Sequence, residues 1–213
     1  MNQDQARFNM VEQQIRTWEV LDKAVLNALM HIKREDFVPA DCQEMAYADT
    51  EIPLPHGQTM LPPRIDARLA NDLALTGQES VLEIGTGSAY QTALLAELAA
   101  QVFSIERFPA LLDKARPLLQ QANVRNVSLL LGDGTLGWRE YGPYDGIVVS
   151  AGAPHVPPAL EEQLAEGGRM LIPIGDRDEQ ILTLFVKRNG QLEGRDIVPV
   201  RFVPLIGAGG WLA

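Results

Sequence analysis

Three acids, Glu83, Glu106 and Asp133, each stand at or just past the end of an apolar run suited to a buried strand. A glycine turn, Gly85-Thr86-Gly87, follows the first of them. Gly85 and Gly87 can take positive φ and let a ligand approach the backbone. The stretch after them suits a helix, whose first N–H groups are free. Such a strand–turn–helix cradles a nucleotide at the carboxyl end of a parallel strand. A dinucleotide fingerprint needs a third glycine three residues after Gly87, and Tyr90 stands there. Glu83, just before the turn, offers a counter-charge to a cationic amino-acid moiety. Both details favour S-adenosylmethionine over NAD. Glu106 lies 21 residues after Gly85, where an acid accepts from both ribose hydroxyls. Asp133, in Gly132-Asp133-Gly134, is placed to accept from an exocyclic adenine amine. Any one of these acids could simply cap a helix or turn. Three on one rim, with the glycine turn, predict a nucleoside site.

The elements that must hold these residues can be read from periodicity. Strands are expected over 81–84, 102–105, 127–131, 144–150 and 170–174, with helices over 88–99, 109–121 and 157–164 between them. This βαβα rhythm predicts an α/β fold, a doubly wound, mostly parallel sheet with helices on both faces. Asn189-Gly190, between runs 180–188 and 191–200, signals a hairpin and an antiparallel C-terminal edge. Ahead of the alternation, helices are expected over 4–17, from an Asp22 cap, and from Arg64 to Leu75. Residues 40–62 read as irregular, with Pro53, Pro55, Gly57 and Pro62. One domain is expected over 1–213: an N-terminal helical lid segment over 1–75 and a Rossmann-like core over 80–213.

Composition narrows the function. A net charge of −10 argues against a nucleic-acid partner, whose phosphates want a basic surface. The single Cys42 excludes an intrachain disulfide and suits a reducing compartment. No apolar run approaches the ~20 residues that span a bilayer, and the start is polar. A cytoplasmic protein without a membrane partner is expected. His31, His56 and His155 share no metal-ligand spacing, so no metal is expected. Tyr47, Trp18, Trp138 and Trp211 are too scattered to form a cage for a sulfonium.

Many of these residues fall in ordered motifs. They include Arg34-Glu35-Asp36-Phe37-Val38-Pro39, Ala46-Tyr47-Ala48-Asp49, Gly57-Gln58-Thr59, the run Glu83–Tyr90 and Ile105-Glu106-Arg107. Gly132-Asp133-Gly134, Ile172-Pro173-Ile174-Gly175 and Phe202-Val203-Pro204-Leu205 continue the series. From Met10 to Trp211 the chain resembles the protein-L-isoaspartate (D-aspartate) O-methyltransferases. The resemblance implies a class I methyltransferase fold with an N-terminal helical extension. It implies methyl transfer from S-adenosylmethionine, leaving S-adenosylhomocysteine, to isoaspartyl carboxylates of damaged proteins or peptides as a first step of repair. Carried over, Glu83, Gly85, Thr86, Gly87, Ser88, Glu106, Arg107, Asp133 and Gly134 would hold the cofactor. His56, Gln58, Thr59 and Met60 would bind the substrate. Thr59 and Leu61 would stand at the reacting groups. Leu61 occupies the position of the family's usual serine, Pro62 that of a glutamine, Pro55 that of a glycine, and Ala89 a further usual glycine.

No general base is required for such a reaction, because a carboxyl of pKa about 4 is ionised at pH 7. Positioning can supply effective molarities of about 10⁵–10⁸ M. The absence of an obvious catalytic acid or base therefore does not count against an enzyme. Leu61, Met60 and Pro62 also fit a methyltransferase with a more apolar acceptor, for which His56 would be the available base. A non-catalytic S-adenosylmethionine-binding module is a third reading. An NAD oxidoreductase is disfavoured by Tyr90.

Overall fold

The computed structural model describes residues 2–212. The chain opens with α1 (Gln3–Asn9), where Asn2 Oδ1 accepts from the Asp4 amide as an N-cap. The single helix expected over 4–17 is broken. It widens to a π-helical turn at Met10–Ile15 and closes in a 3₁₀ turn at Arg16–Trp18. Met10, Val11 and Ile15 of the wide turn are all buried. Asp22 caps α2 (Lys23–His31), as expected, with Oδ1 accepting from the amides of Ala24 and Val25.

Residues 40–62 are more ordered than their prolines suggest. They carry an antiparallel hairpin, β1 (Ile52–Leu54) and β2 (Gln58–Met60), with Ile52 opposite Met60. Its connection turns through His56 and Gly57, at φ 62° and 67°. Then α3 (Pro63–Leu73) begins on a proline, whose missing N–H costs nothing in the first turn.

The alternating half follows its pattern. β3 (Ser80–Ile84), α4 (Tyr90–Leu98), β4 (Gln101–Glu106), α5 (Pro109–Gln121) and β5 (Val127–Leu131) come first. β6 (Tyr144–Val149), α6 (Pro158–Gln163), β7 (Leu164–Gly175), β8 (Gln180–Arg188) and β9 (Gln191–Val200) complete it. The seven-stranded sheet has the order β5-β4-β3-β6-β7-β8-β9. Its first four pairings are parallel and its last two antiparallel, with β8 and β9 joined at Asn189-Gly190. The chain steps outward from β3 to β5, then crosses back to lay β6 on the other side of β3. That reversal opens a crevice at the carboxyl ends of β3 and β6, where α/β sheets bind ligands.

The helix α4 is buried on nearly every side, which explains its Ala and Leu on all faces. One face meets the sheet, and the other meets the N-terminal segment through Met10, Leu29, Phe37 and Ile52. The N-terminal segment thus caps the helix that leads from the glycine turn. No helix among the described residues is long and apolar enough to cross a membrane.

Candidate active site

The rim is built from backbone. Gly85 and Gly87 take φ 97° and 54°, so the chain leaves β3 in a left-handed path that glycine adopts without strain. Ala89 also takes positive φ, 68°, where it must tolerate a Cβ clash. The Gly85 amide donates to the Ile105 carbonyl at 2.8 Å, which fixes the turn against the end of β4. Glu106 closes β4 and is almost wholly buried. Its Oε2 accepts from the Gly87 amide and its Oε1 from the Phe108 amide, both at 2.9 Å. Each oxygen keeps a lone pair for a further donor.

A cleft of ≈ 610 Å³, counted to open solvent, lies over this rim. Gly85, Gly87, Glu106, Arg107 and Gly134 line it from the sheet side, and Gln58 and Thr59 from the hairpin. Phe108, Ser150, Ala151 and the segment Val203–Ile206 complete the wall. Seven of the expected site residues therefore meet in one place.

The others do not line it. Glu83 lies behind the turn, fully buried, with Oε2 accepting from Thr92 at 2.5 Å and Ser104 at 2.6 Å. Burial pushes its carboxyl up to about 8, against the hydrogen bonds from Ser104 and Thr92, and Asp66 and Glu106 nearby add to the rise. Burial thus favours its neutral form, and Glu83 is not the exposed counter-charge expected from its position. Thr86 bonds Ser104 at 2.6 Å in the same buried layer. Ser88 faces a neighbouring groove with Leu54 and Phe37. Asp133 is engaged: Oδ1 accepts from the Thr135 amide and hydroxyl, and Oδ2 from the Ala208 amide at 2.8 Å. Partial burial opposes its charge, but the Ala208 and Thr135 donors and Arg107 hold its carboxyl below the usual range.

On the acceptor side, Met60 and Leu61 turn away from the cleft. Met60 pairs with Ile52 in the core under the N-terminal segment. Leu61 is buried in the cluster that also holds Ile65, Leu69 and Leu73 of α3. Apolar side chains at the end of β2 find the core rather than a polar site, so Leu61 presents no isobutyl group to an acceptor. His56 is exposed at the hairpin tip and stacks on Phe108, with ring centroids 4.8 Å apart and planes within 2°. It touches the wall from outside.

Side chains remote in sequence hold the hairpin in place. Arg34, fully buried, donates to the Leu61 carbonyl at 2.5 Å, the Ala46 carbonyl at 2.8 Å and Asp66 at 2.6 Å. Its guanidinium also lies over the Tyr90 ring, 4.8 Å from the centroid. Burial, opposed by Arg34, pushes Asp66 up to about 6. Arg7 donates to Tyr47 at 3.0 Å and pairs with Glu35 at 2.9 Å, while Asp49 pairs with Arg64. The motifs at 34–39 and 46–49 are thus structural clasps. Sequence reasoning missed Ser150, Phe108 and Arg34 as site-shaping residues. Only the adjacency of β6 to β3 would have pointed to Ser150.

Trp18, Tyr47, Trp138 and Trp211 are dispersed: Trp18 under Arg64, Tyr47 on Arg7, Trp138 on Phe103 and Trp211 on the Gly152 carbonyl. Among the described residues no group of three or more His, Cys, Asp and Glu could hold a metal ion.

Comparisons with known proteins agree with this architecture. The family model "Protein-L-isoaspartate(D-aspartate) O-methyltransferase" matches residues 5–209. The protein-L-isoaspartate O-methyltransferase of Methanoculleus marisnigri is 46% identical over 96% of this chain and 93% of its own. That of Geobacter metallireducens is 44% identical over 99% and 98%. Among solved structures, a protein-L-isoaspartate O-methyltransferase superposes with TM-score 0.85 at 27% identity, covering 96% of this chain and 67% of that one. A Plasmodium falciparum structure described as a complex with S-adenosyl-L-homocysteine shares the fold, with TM-score 0.80 at 24% identity over 97% and 99%. The chain belongs to the protein-L-isoaspartate(D-aspartate) O-methyltransferase family, whose members are S-adenosylmethionine-dependent methyltransferases.

Proposed function

We propose that this chain methylates L-isoaspartyl and D-aspartyl carboxylates of damaged proteins and peptides, and that the cleft at the β3–β6 switch point is where it does so. One observation carries the reading. The glycine turn and Glu106 form one wall of the cleft, and Gln58 and Thr59 of the hairpin form part of the other. A cofactor and an acceptor brought to these two walls would meet.

The residues fit S-adenosylmethionine. Glu106 has lone pairs for the ribose hydroxyls, Gly85 and Gly87 leave backbone open to close approach, and Gly134 allows the wall by Ile84 to stay tight. A Cβ on Gly134 would meet Ile84 Cγ2 at 2.3 Å. The cofactor, when bound, supplies an electrophilic methyl on a sulfonium. That methyl would pass to a carboxylate oxygen of the acceptor, with the electron pair of the S–CH₃ bond left on sulfur. The protein's task is alignment and exclusion of water. Thr59 lines the cleft from the hairpin, and in this reading its hydroxyl serves in place of the family's serine. Glu83, Thr86 and Ser88 act behind or beside the turn, and Asp133 braces the 205–211 segment.

Residues 1–75, with the hairpin at their centre, serve as the lid of a single domain over 1–213. Bound cofactor should then slow proteolysis within 50–62. The protein acts in the cytoplasm on polypeptide substrates, with no nucleic acid and no membrane as partner. His56, stacked outside the cleft, does not favour an acceptor that needs a general base.

The deciding experiment is methyl transfer from labelled S-adenosylmethionine to an isoaspartyl peptide, with its aspartyl twin as control. Base-labile label in the isoaspartyl peptide alone is expected. Label in neither would sink the reading.

A further inference from the structure

Ser150 stands one residue past β6, directly beside the glycine turn. Its amide donates to the Ile84 carbonyl at 2.9 Å, and a Cβ on Gly85 would sit 3.6 Å from its own Cβ. Its Oγ is buried and has no hydrogen-bond partner among the described residues, yet Ser150 lines the cleft. Buried hydroxyls without partners are uncommon in native structures; this one is closed off as it stands, and a turn about χ1 of the cleft-lining Ser150 brings it within reach of a ligand atom. The wall around it is apolar: Ala151, Val203, Pro204 and Leu205.

The sheet places Ser150 at a defined end of the cleft. Glu106 ends β4 on one side of β3, and Ser150 follows β6 on the other. Two strand spacings, about 10 Å, separate the two. If the ribose lies at Glu106, the reacting end lies toward Ser150. There the acceptor carboxylate turns one oxygen to the methyl. Its other oxygen needs a donor; Gln58 and Thr59 stand on the hairpin wall, and on the wall of Ala151 and Val203–Leu205 the side-chain donor is Ser150.

We propose that Ser150 donates its hydroxyl to the non-attacking oxygen of the acceptor carboxylate and so helps to select and orient it. This rests on the isoaspartyl reading above. Ser150→Ala and Ser150→Cys test it, the second keeping the volume with only a weak donor. The measurements are the Kd of S-adenosylhomocysteine, the Kd of an isoaspartyl hexapeptide for the protein saturated with S-adenosylhomocysteine, and steady-state methylation.

Both variants should bind S-adenosylhomocysteine within about twofold of the parent. The peptide Kd and KM should rise about tenfold or more, as loss of a hydrogen bond to a charged group implies. A merely structural serine would leave that contrast absent. Unchanged peptide Kd and KM overturn the assignment and leave the isoaspartyl reading standing. A parallel loss of S-adenosylhomocysteine affinity also overturns it and gives Ser150 to the cofactor. A parent protein that binds S-adenosylhomocysteine but no isoaspartyl peptide overturns the reading, and the assignment with it.

Discussion

The two walls of the cleft are held by different means. The rim at β3 and β4 is fixed by its own backbone: the Gly85 amide bonds the end of β4, and Glu106 bonds the Gly87 and Phe108 amides. Every partner lies within a few residues of a strand end. The hairpin wall is fixed from outside, by Arg34 on the Leu61 carbonyl, by the Asp49–Arg64 pair and by the His56–Phe108 stack. A wall made of local backbone tolerates change behind it. A wall hung on remote side chains is sensitive to the few that hold it.

The sharpest way to break this contrast is at Arg34. Arg34→Ala leaves Asp66 buried and unpaired and two carbonyls without a donor. Losing one partner of a buried ion pair costs about 3–5 kcal/mol. Urea unfolding should show that loss, and the peptide KM should rise in the surviving native protein. A stability change below about 1 kcal/mol would mean that the hairpin is not hung on Arg34.

Leu61→Ser comes next. The family's usual residue, placed here, would bury a hydroxyl among Ile65, Leu69 and Leu73. Deleting a buried Leu side chain costs about 2–5 kcal/mol, so stability should fall by that order with no gain in methylation. Faster methylation in Leu61→Ser would show that this position does face the acceptor.

These two residues mark how far the sequence could be read. The strand–turn–helix, Glu106 at the end of β4, the mostly parallel sheet and the Asn189-Gly190 hairpin were all legible, because each follows from local pattern. The hairpin inside 40–62 was not, since its strands are three residues each, with Pro53 inside β1 and Pro55 just after it. The orientation of Leu61 was not either: it depends on α3 packing, which no local signal carries. Glu83 stands before the turn as expected, but its side chain points into a buried layer with Ser104 and Thr92 rather than onto the rim.

Glu83 gives the backbone wall a pH signature. Its folded carboxyl holds a proton up to about 8, whereas the unfolded one releases it near 4.5. Between those values the native state binds more protons, so stability falls as pH rises, by at most about 1.4 kcal/mol per pH unit. Thermal unfolding of the parent protein should weaken from pH 6 to pH 8. Glu83→Gln should flatten that slope. An equal slope in both would assign the pH dependence elsewhere.

The smallest expected effect lies at Ala89, on the same wall. Its φ of 68° strains an alanine, and Ala89→Gly removes about 1–2 kcal/mol of that strain. The same change adds freedom to the unfolded chain, worth about 0.4–1 kcal/mol, and empties a methyl-sized space at a fully buried position. The terms oppose, so the net shift should stay within about 1 kcal/mol of zero. Ala89→Val adds branching at the same φ and has no compensation, so it should destabilise clearly. If Ala89→Val is tolerated as well as Ala89→Gly, the turn is not held in its left-handed path. The rim would then be as adjustable as the hairpin, and the contrast between the two walls would vanish.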